Sequence, residues 1–314
     1  MTPSPAGSAK LQWALTGEPG SSGQTSLTLS QTVTTSSKRI RANRRSWGHW
    51  ARIHATGSDT YPMERFRRGD TGGRTPLPDD LGPVRGKSLL HLQCHIGTDS
   101  LWWASRGATV TGVDLTPEAV DEARKLSAAS GIPARFIEAN VYDAPKVLKK
   151  ERFDIVFTSY GTICWLPDLR KWAGVIARLL KPGGRFYIAD THPLAGAIEF
   201  DGPRGAPRLA RGYFEPKAVS YVTGGGTYAN PKASHPKGRN YEWQHTLDEI
   251  VTSLRAAGLT IESLKEFPYT FFEITQWSGK RLMRRDREGF WHLKNRKLTL
   301  PLMFSLTARR NRSS

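Results

Sequence analysis

HLQCHIGTDS, residues 91–100, links an apolar run, SLLHLQ at 88–93, to a helix-like segment, SLWWAS at 100–105. In an α/β protein that holds a dinucleotide, this strand-to-helix turn carries Gly-x-Gly-x-x-Gly, because the backbone must approach a pyrophosphate at several points. Here only Gly97 remains, and Gln93 and His95 stand where such a loop needs no side chain. A nicotinamide or flavin dinucleotide is therefore disfavoured. The next β-branched run, ATVTGVD at 108–114, ends in Asp114, where a carboxylate accepts ribose hydroxyls. An adenosine without a pyrophosphate satisfies both observations.

Outward from this loop, strand-like and helix-like segments alternate. In LTPEAVDEARKLSAASG, Thr116 is a natural N-cap, Pro117 fits the first helical position and Gly131 a C-terminal stop. ARFIEA (134–139) and FDIVFTS (153–159) read as strands three and four. LRKWAGVIARLL reads as an amphipathic helix that Pro182-Gly183-Gly184 ends before strand five, RFYIAD (185–190). Thr246 and Glu249 form a capping-box pattern; LTIESLKEF and LPLMFSLTA then follow as the last two strands. Single helices between strands require a parallel sheet. The expected fold is α/β, a Rossmann-like doubly wound seven-stranded sheet, mostly parallel, with its last strand antiparallel. Residues 193–241 are too long and too rich in Gly, Pro and aromatics for an ordinary connection, and are read as a lid. A second, basic insertion covers 268–298.

With this framework in place, LLHLQCHIGTDSLWWASRGATVTGVDLTPEAV resembles motifs I and II of the class I methyltransferases that use S-adenosylmethionine. ARLLKPGGRFYIAD resembles their segment before strand five. The likeness runs from about residue 57 to 308, and includes a bacterial subgroup pattern of Leu-His-Leu-Gln-Cys-His, Trp-Leu-Pro-Asp-Leu at 165–169 and His192-Pro193. It implies S-adenosylmethionine as cofactor, with Gly97 matching the last loop glycine, Asp114 the ribose ligand and Leu115 the adenine-packing residue. Asn140 takes the place of an acid facing the adenine amino group, with Val141 beside it. His91 replaces the motif I carboxylate, and Gln93 and His95 replace glycines; all three, with Ser159, are assigned to the cofactor side.

Methyl transfer is an in-line displacement, so positioning dominates and a base is needed only when the acceptor is a hydroxyl. His192, after strand five, is the leading base candidate and His245 the second. Tyr160, Tyr241 and Trp243 are candidate substrate contacts, and no residues are assigned to a metal. Strand four is followed by Ser159-Tyr160-Gly161-Thr162, not by Asn/Asp-Pro-Pro-Tyr/Phe, a Pro-Cys nucleophile or paired glutamates. That argues against exocyclic-amine, cytosine C5 and protein arginine acceptors. The lid aromatics suit a small organic acceptor.

The net charge of +18 raises an alternative. It is concentrated on the flanks: six basic and no acidic residues at 38–52, and eleven Lys or Arg against Asp286 and Glu288 at 280–314. These could contact RNA phosphates, making an RNA-directed methyltransferase the first alternative. A non-enzymatic binding protein with an altered cofactor loop is the second. Residues 1–37, rich in Ser, Thr, Gly and Pro, are expected to be disordered, and 38–87 to form a helical basic cap on a methyltransferase domain spanning 88–314. Two cysteines exclude a disulfide framework. With no secretory signal and no apolar run of membrane-spanning length, a cytoplasmic protein without membrane attachment is expected.

Overall fold

The computed structural model describes residues 29–72, 81–200, 202–214, 218–275 and 281–312. Two helices, α1 (Leu29–Ala55) and α2 (Met63–Arg67), precede β1 (Ser88–Leu92), α3 (Thr98–Ser105), β2 (Thr109–Asp114), α4 (Pro117–Ser130) and β3 (Arg135–Glu138). Then come α5 (Ala144–Val147), β4 (Phe153–Ser159), α6 (Leu169–Leu179) and β5 (Leu180–Thr191). The insertion expected to act as a lid holds α7 (Pro193–Ala197) and strands β6 (Ile198–Glu199), β7 (Arg208–Leu209), β8 (Val219–Thr223) and most of β9 (Gly238–Glu242). After α8 (Leu247–Ala256) and β10 (Leu259–Phe267), a three-stranded sheet of β11 (Tyr269–Thr270), β12 (Met283–Arg285) and β13 (Trp291–Leu293) precedes β14 (Met303–Arg310).

The main sheet has the order β10-β14-β5-β4-β1-β2-β3. β14 is antiparallel to both neighbours, and the other pairs are parallel, so the expected fold is borne out, last strand included. Strand alternation explains the two faces. Leu90, Leu92, Val156, Phe186 and Ile188 join the core beneath α5, α6 and α8. Leu89, Ile155, Phe157, Tyr187 and Ala189 pack on the opposite face with Trp103 of α3. His91 and Ser159 share the parity of Leu89 and Phe157, which places both on the α3 side. This matters for the site.

Local signals explain the helix ends. Thr116 Oγ1 accepts from Ala119 N at 3.3 Å, Gly131 is left-handed at φ 67°, and Thr246 Oγ1 accepts from Glu249 N at 3.0 Å.

Two expectations need correction. Residues 29–37, assigned to a disordered extension, lie in α1; residues 1–28 lie outside the described residues. Strand β5 starts at Leu180, not Arg185, and Pro182-Gly183-Gly184 belongs to it as an irregularity. Phe153 pairs with Leu180, but Ile155 pairs with Arg185. The extra residues bulge, which a proline and a left-handed Gly183 at φ 75° tolerate.

Candidate functional site

A cavity of about 1000 Å³ lies over the carboxyl ends of β1 and β4, where the strand order reverses and open α/β sheets bind ligands. That volume is at the upper end for small-molecule sites. Sheet ends supply Gln93, Asp114, Asn140 and Ser159, the lid supplies Tyr221, Thr227 and Tyr228, and Trp243 follows just after it.

The loop keeps the backbone of a glycine turn without the glycines. Gln93 has φ 57° and His95 φ 49°, a left-handed conformation that costs residues with a Cβ about 1 kcal/mol or more each and persists only where surroundings enforce it. The enforcing bonds are Cys94 N to Val113 O at 3.1 Å, His95 N to Asp114 Oδ2 at 2.8 Å and Gly97 N to Cys94 O at 3.0 Å. The added side chains form tethers. Gln93 Nε2 donates to Thr162 O at 3.1 Å, and His95 Nε2 lies 2.8 Å from His54 Nδ1, whose ring reaches Thr227 of the lid. Gln93 Oε1 is buried with no hydrogen-bond partner among the described residues; an acceptor left so in a cavity wall fits a donor on a bound group.

Gly97, expected on the cofactor side, does not itself line the cavity. Its φ is 80°, and a Cβ there would lie 2.8 Å from Phe136 and 2.9 Å from Ala123. Glycine is required so that the start of α3 can pack on β3 and α4.

Asp114 lines the cavity. Its Oδ1 accepts from the Thr116 N–H and hydroxyl at 3.0 and 3.1 Å, and Oδ2 from His95 N, so three donors orient the carboxylate. Burial raises its pKa, although these donors oppose the shift. Leu115 and Val141 line the cavity beside it. So does Asn140, whose Oδ1 accepts from Tyr142 N at 3.1 Å.

His91 is 2% exposed and packs against Phe157, the two rings tilted at 54° with centroids 4.7 Å apart. Ser159 donates its only hydroxyl proton to Asp99 Oδ2 at 2.9 Å. The contact of 3.3 Å between Ser159 Oγ and His91 Nε2 therefore requires Nε2–H as donor, and Nδ1 accepts from the Ser100 hydroxyl at 2.8 Å. Burial pulls this histidine down to about 4 from 6.5, against the opposing pull of Asp99. Because the folded value is the lower one, the stabilisation by neutral His91 is complete above pH 6.5 and is lost as the pH falls toward 4. The expected loss over that window is about 3 kcal/mol. Urea titrations at pH 7 and pH 4.5 check it: the same unfolding pH slope in the wild type and His91→Asn would refute the assignment.

The base candidates line the cavity, but the hydrogen bonding argues against both as bases. His192 Nδ1 accepts from Leu194 N at 3.0 Å, so Nε2 carries the proton and donates to Glu266 at 2.8 Å. No lone pair faces an acceptor. Burial also lowers its pKa, with Glu266 opposing. His245 spans Leu166 O at 2.8 Å and Glu249 Oε2 at 2.9 Å, tying the loop after β4 to α8.

Tyr160 and Trp243 line the cavity. Tyr241 does not: on β9 it alternates away from Glu242, its backbone pairs with the Asn43 amide at 2.7 and 2.8 Å, and Arg39 lies over its ring. Burial pushes the Cys94 and Cys164 thiols up, which suits neither to nucleophilic attack.

Two walls escaped the sequence reading. Ile40, Asn43, Trp47 and Trp50 of α1 line the cavity, as do Phe271, Phe272 and Phe290 of the second insertion. The α1 signal was present, because 40, 43, 47 and 50 alternate steps of three and four, one helical face. The insertion offered no period. Trp50 Nε1 donates to His235 at 2.8 Å and the Tyr61 and Tyr228 hydroxyls meet at 2.5 Å, so α1 and its following turn latch to the lid.

A family described as "Methyltransferase domain" matches residues 90–188. An uncharacterized methyltransferase of Synechocystis sp. is 30% identical over 154 residues, 45% of this chain and 69% of that protein. An uncharacterized protein of Mycobacterium tuberculosis is 33% identical over 108 residues, 34% of this chain. The chain spans only 38% of the length of that relative. An S-adenosylmethionine-dependent methyltransferase from Mesorhizobium loti has the same fold, with a TM-score of 0.50, 20% identity, and coverage of 77% of this chain and 98% of that one.

Proposed function

The chain belongs to the S-adenosylmethionine-dependent methyltransferases, and from that premise we propose that it methylates a small organic acceptor enclosed by α1, the lid and the second insertion. The observation that carries this reading is the position of the rebuilt loop. Gln93 and His95 keep the backbone of a cofactor turn beside Asp114, and the cavity continues from there onto aromatic walls.

The residues fit the cofactor. Asp114 would hold the ribose, Leu115 and Val141 would pack on the adenine with Asn140 at its edge, and the buried Gln93 Oε1 would accept from the amino-acid tail. S-adenosylmethionine when bound supplies a methyl group on a sulfonium, a leaving group that needs no acid. The protein's task is then to orient the acceptor and exclude water. Tyr160 takes φ 51° at the end of β4, held by its N–H to Ala189 O at 2.8 Å; Phe271 packs on its ring with centroids 4.3 Å apart. With Trp165, Trp47 and Phe290 it forms walls suited to a flat acceptor. Since His192 and His245 are committed elsewhere, the site favours acceptors that are nucleophilic without a strong base, such as amines or acidic phenols.

The basic flanks support an RNA substrate poorly. Arg44 pairs with Glu138, Arg52 with Glu118 at 3.2 Å and Arg309 with Glu262 at 2.6 Å, while Arg310 donates to Leu180 O at 2.5 Å. These arginines fasten the flanks to the domain. Calorimetry with S-adenosylhomocysteine is expected to show saturable binding of one equivalent, and labelled S-adenosylmethionine to label phenols or amines from a small-molecule panel. No binding would sink the reading. Binding without transfer would favour a binding protein, and transfer to RNA that falls steeply with salt would favour the RNA-directed alternative.

A further inference from the structure

His95 holds φ 49° in a turn that glycine would take freely. An outlier of this kind points to a use for its side chain, and the side chain of His95 meets α1. His54, in the last turn of that helix and 1% exposed, places Nδ1 2.8 Å from His95 Nε2 and its own Nε2 3.1 Å from the Thr227 hydroxyl. One buried ring therefore joins three elements: the helix that carries it, the cofactor turn and the insertion after β5. Tyr61 stacks on its face with centroids 4.8 Å apart, and the Tyr228 ring lies 4.9 Å away.

The hydrogen bonds fix where the protons sit. Thr227 Oγ1 accepts from Ala229 N at 3.3 Å and from Asn230 N at 3.0 Å, which uses both of its lone pairs. Its own proton is left for His54 Nε2, so His54 carries its proton on Nδ1 and donates to His95 Nε2. A directed chain then runs from Thr227 through His54 to His95, whose backbone N–H continues to Asp114 Oδ2 at 2.8 Å. Thr227, His95 and Asp114 all line the cavity; one end of the chain is its cover and the other the ribose position. Resting on the methyltransferase reading, we propose that His54 is the positioning residue that joins closure of α1 and the insertion over the acceptor to occupancy of the cofactor turn. The coupling arises because a buried ring has to satisfy both nitrogens at once. Relaxation of the turn pulls the acceptor away from the His54 N–H and disfavours closure, and a ligand that holds the turn through Asp114 restores it. Binding at either place then favours the other by the same factor. Glycine at 95 would shape the turn equally well and give the cover nothing to bond.

The test is amide hydrogen exchange read by mass spectrometry on the full chain, with and without S-adenosylhomocysteine at concentrations that calorimetry shows to saturate each protein. In the wild type the ligand is expected to slow exchange about tenfold both in the cofactor turn at 91–97 and in the insertion at 219–230, where the Ala229 and Asn230 amides bond Thr227 directly. In His54→Phe, which keeps a ring against Tyr61 but has no nitrogen, the turn should still be slowed while the slowing of 219–230 falls to within about twofold. His95→Gly should behave alike, and the double variant should lose no more than either single one, because both cut the same chain. Two unrelated packing defects would add instead, and that result overturns the role. So does slowing of 219–230 that survives in a folded His54→Phe, since the insertion would then sense the ligand directly. If no variant folds, the wild type still decides: a slowed turn with an unaffected insertion refutes the coupling and leaves the methyltransferase reading standing. Absence of calorimetric binding to the wild type defeats both.

Discussion

Replacement of Asp190 by alanine is expected to lower unfolding stability by about 4 kcal/mol, a large share of what a domain of this size holds. The reason is the number of donors that converge on one carboxylate. Oδ1 accepts from Gly161 N and Thr191 N, both at 2.6 Å; Oδ2 accepts from Thr162 N at 2.9 Å, the Thr162 hydroxyl at 2.8 Å and Ile163 N at 3.1 Å. Asp190 is 3% exposed. Each buried donor stranded by its removal costs about 1–3 kcal/mol before water and relaxation recover part of the loss. Burial raises the carboxyl's pKa while the donors pull the other way. The role is structural: Asp190 winds the turn after β4, which carries Tyr160 in its left-handed conformation and lines the acceptor side of the cavity. Asp190→Asn keeps the shape and one acceptor oxygen and should lose about half as much. Chemical denaturation at pH 7 checks both; an Ala variant within 1 kcal/mol of wild type would contradict the clamp.

The second large effect is expected on ligand affinity. Asp114→Ala should weaken S-adenosylhomocysteine binding by about 100-fold, through loss of charge-assisted contacts to the ribose. The same substitution releases His95 N, now 2.8 Å from Oδ2, and so loosens the strained loop that shapes the tail site. Asp114→Asn should fall between, because one acceptor oxygen remains. Calorimetry decides. Affinity within threefold of wild type in a folded Asp114→Ala would remove Asp114 from the cofactor site and leave it as a cap for α4.

Strand alternation, Thr116 and Thr246 as caps, Gly131 as a stop and the spacing of the five early strands are local signals, set within a turn or two of chain. They determined the sheet, its mostly parallel sense and the position of the ligand crevice. That Asp114, Asn140 and Ser159 line the cavity was legible for the same reason, since the end of a strand in a doubly wound sheet is its rim. What each side chain does there was not legible. Gly97 was read as a ligand contact because it sits in the loop; that Phe136 and Ala123, neighbours only after β3 and α4 fold back, also leave no room for a Cβ there could not be read locally. His192 was read as a base, and the Leu194 N–H and Glu266 took its nitrogens from 2 and 74 residues away. The cover of α1 and the second insertion lay beyond local reasoning as well. Sequence period reports which face of an element is apolar, whereas the partner of that face is chosen by long-range packing. HLQCHIGTDS carries both lessons: its place between strand and helix was set by the chain, and the use of His91, Gln93, His95 and Asp99 by what the rest of the fold brings against them.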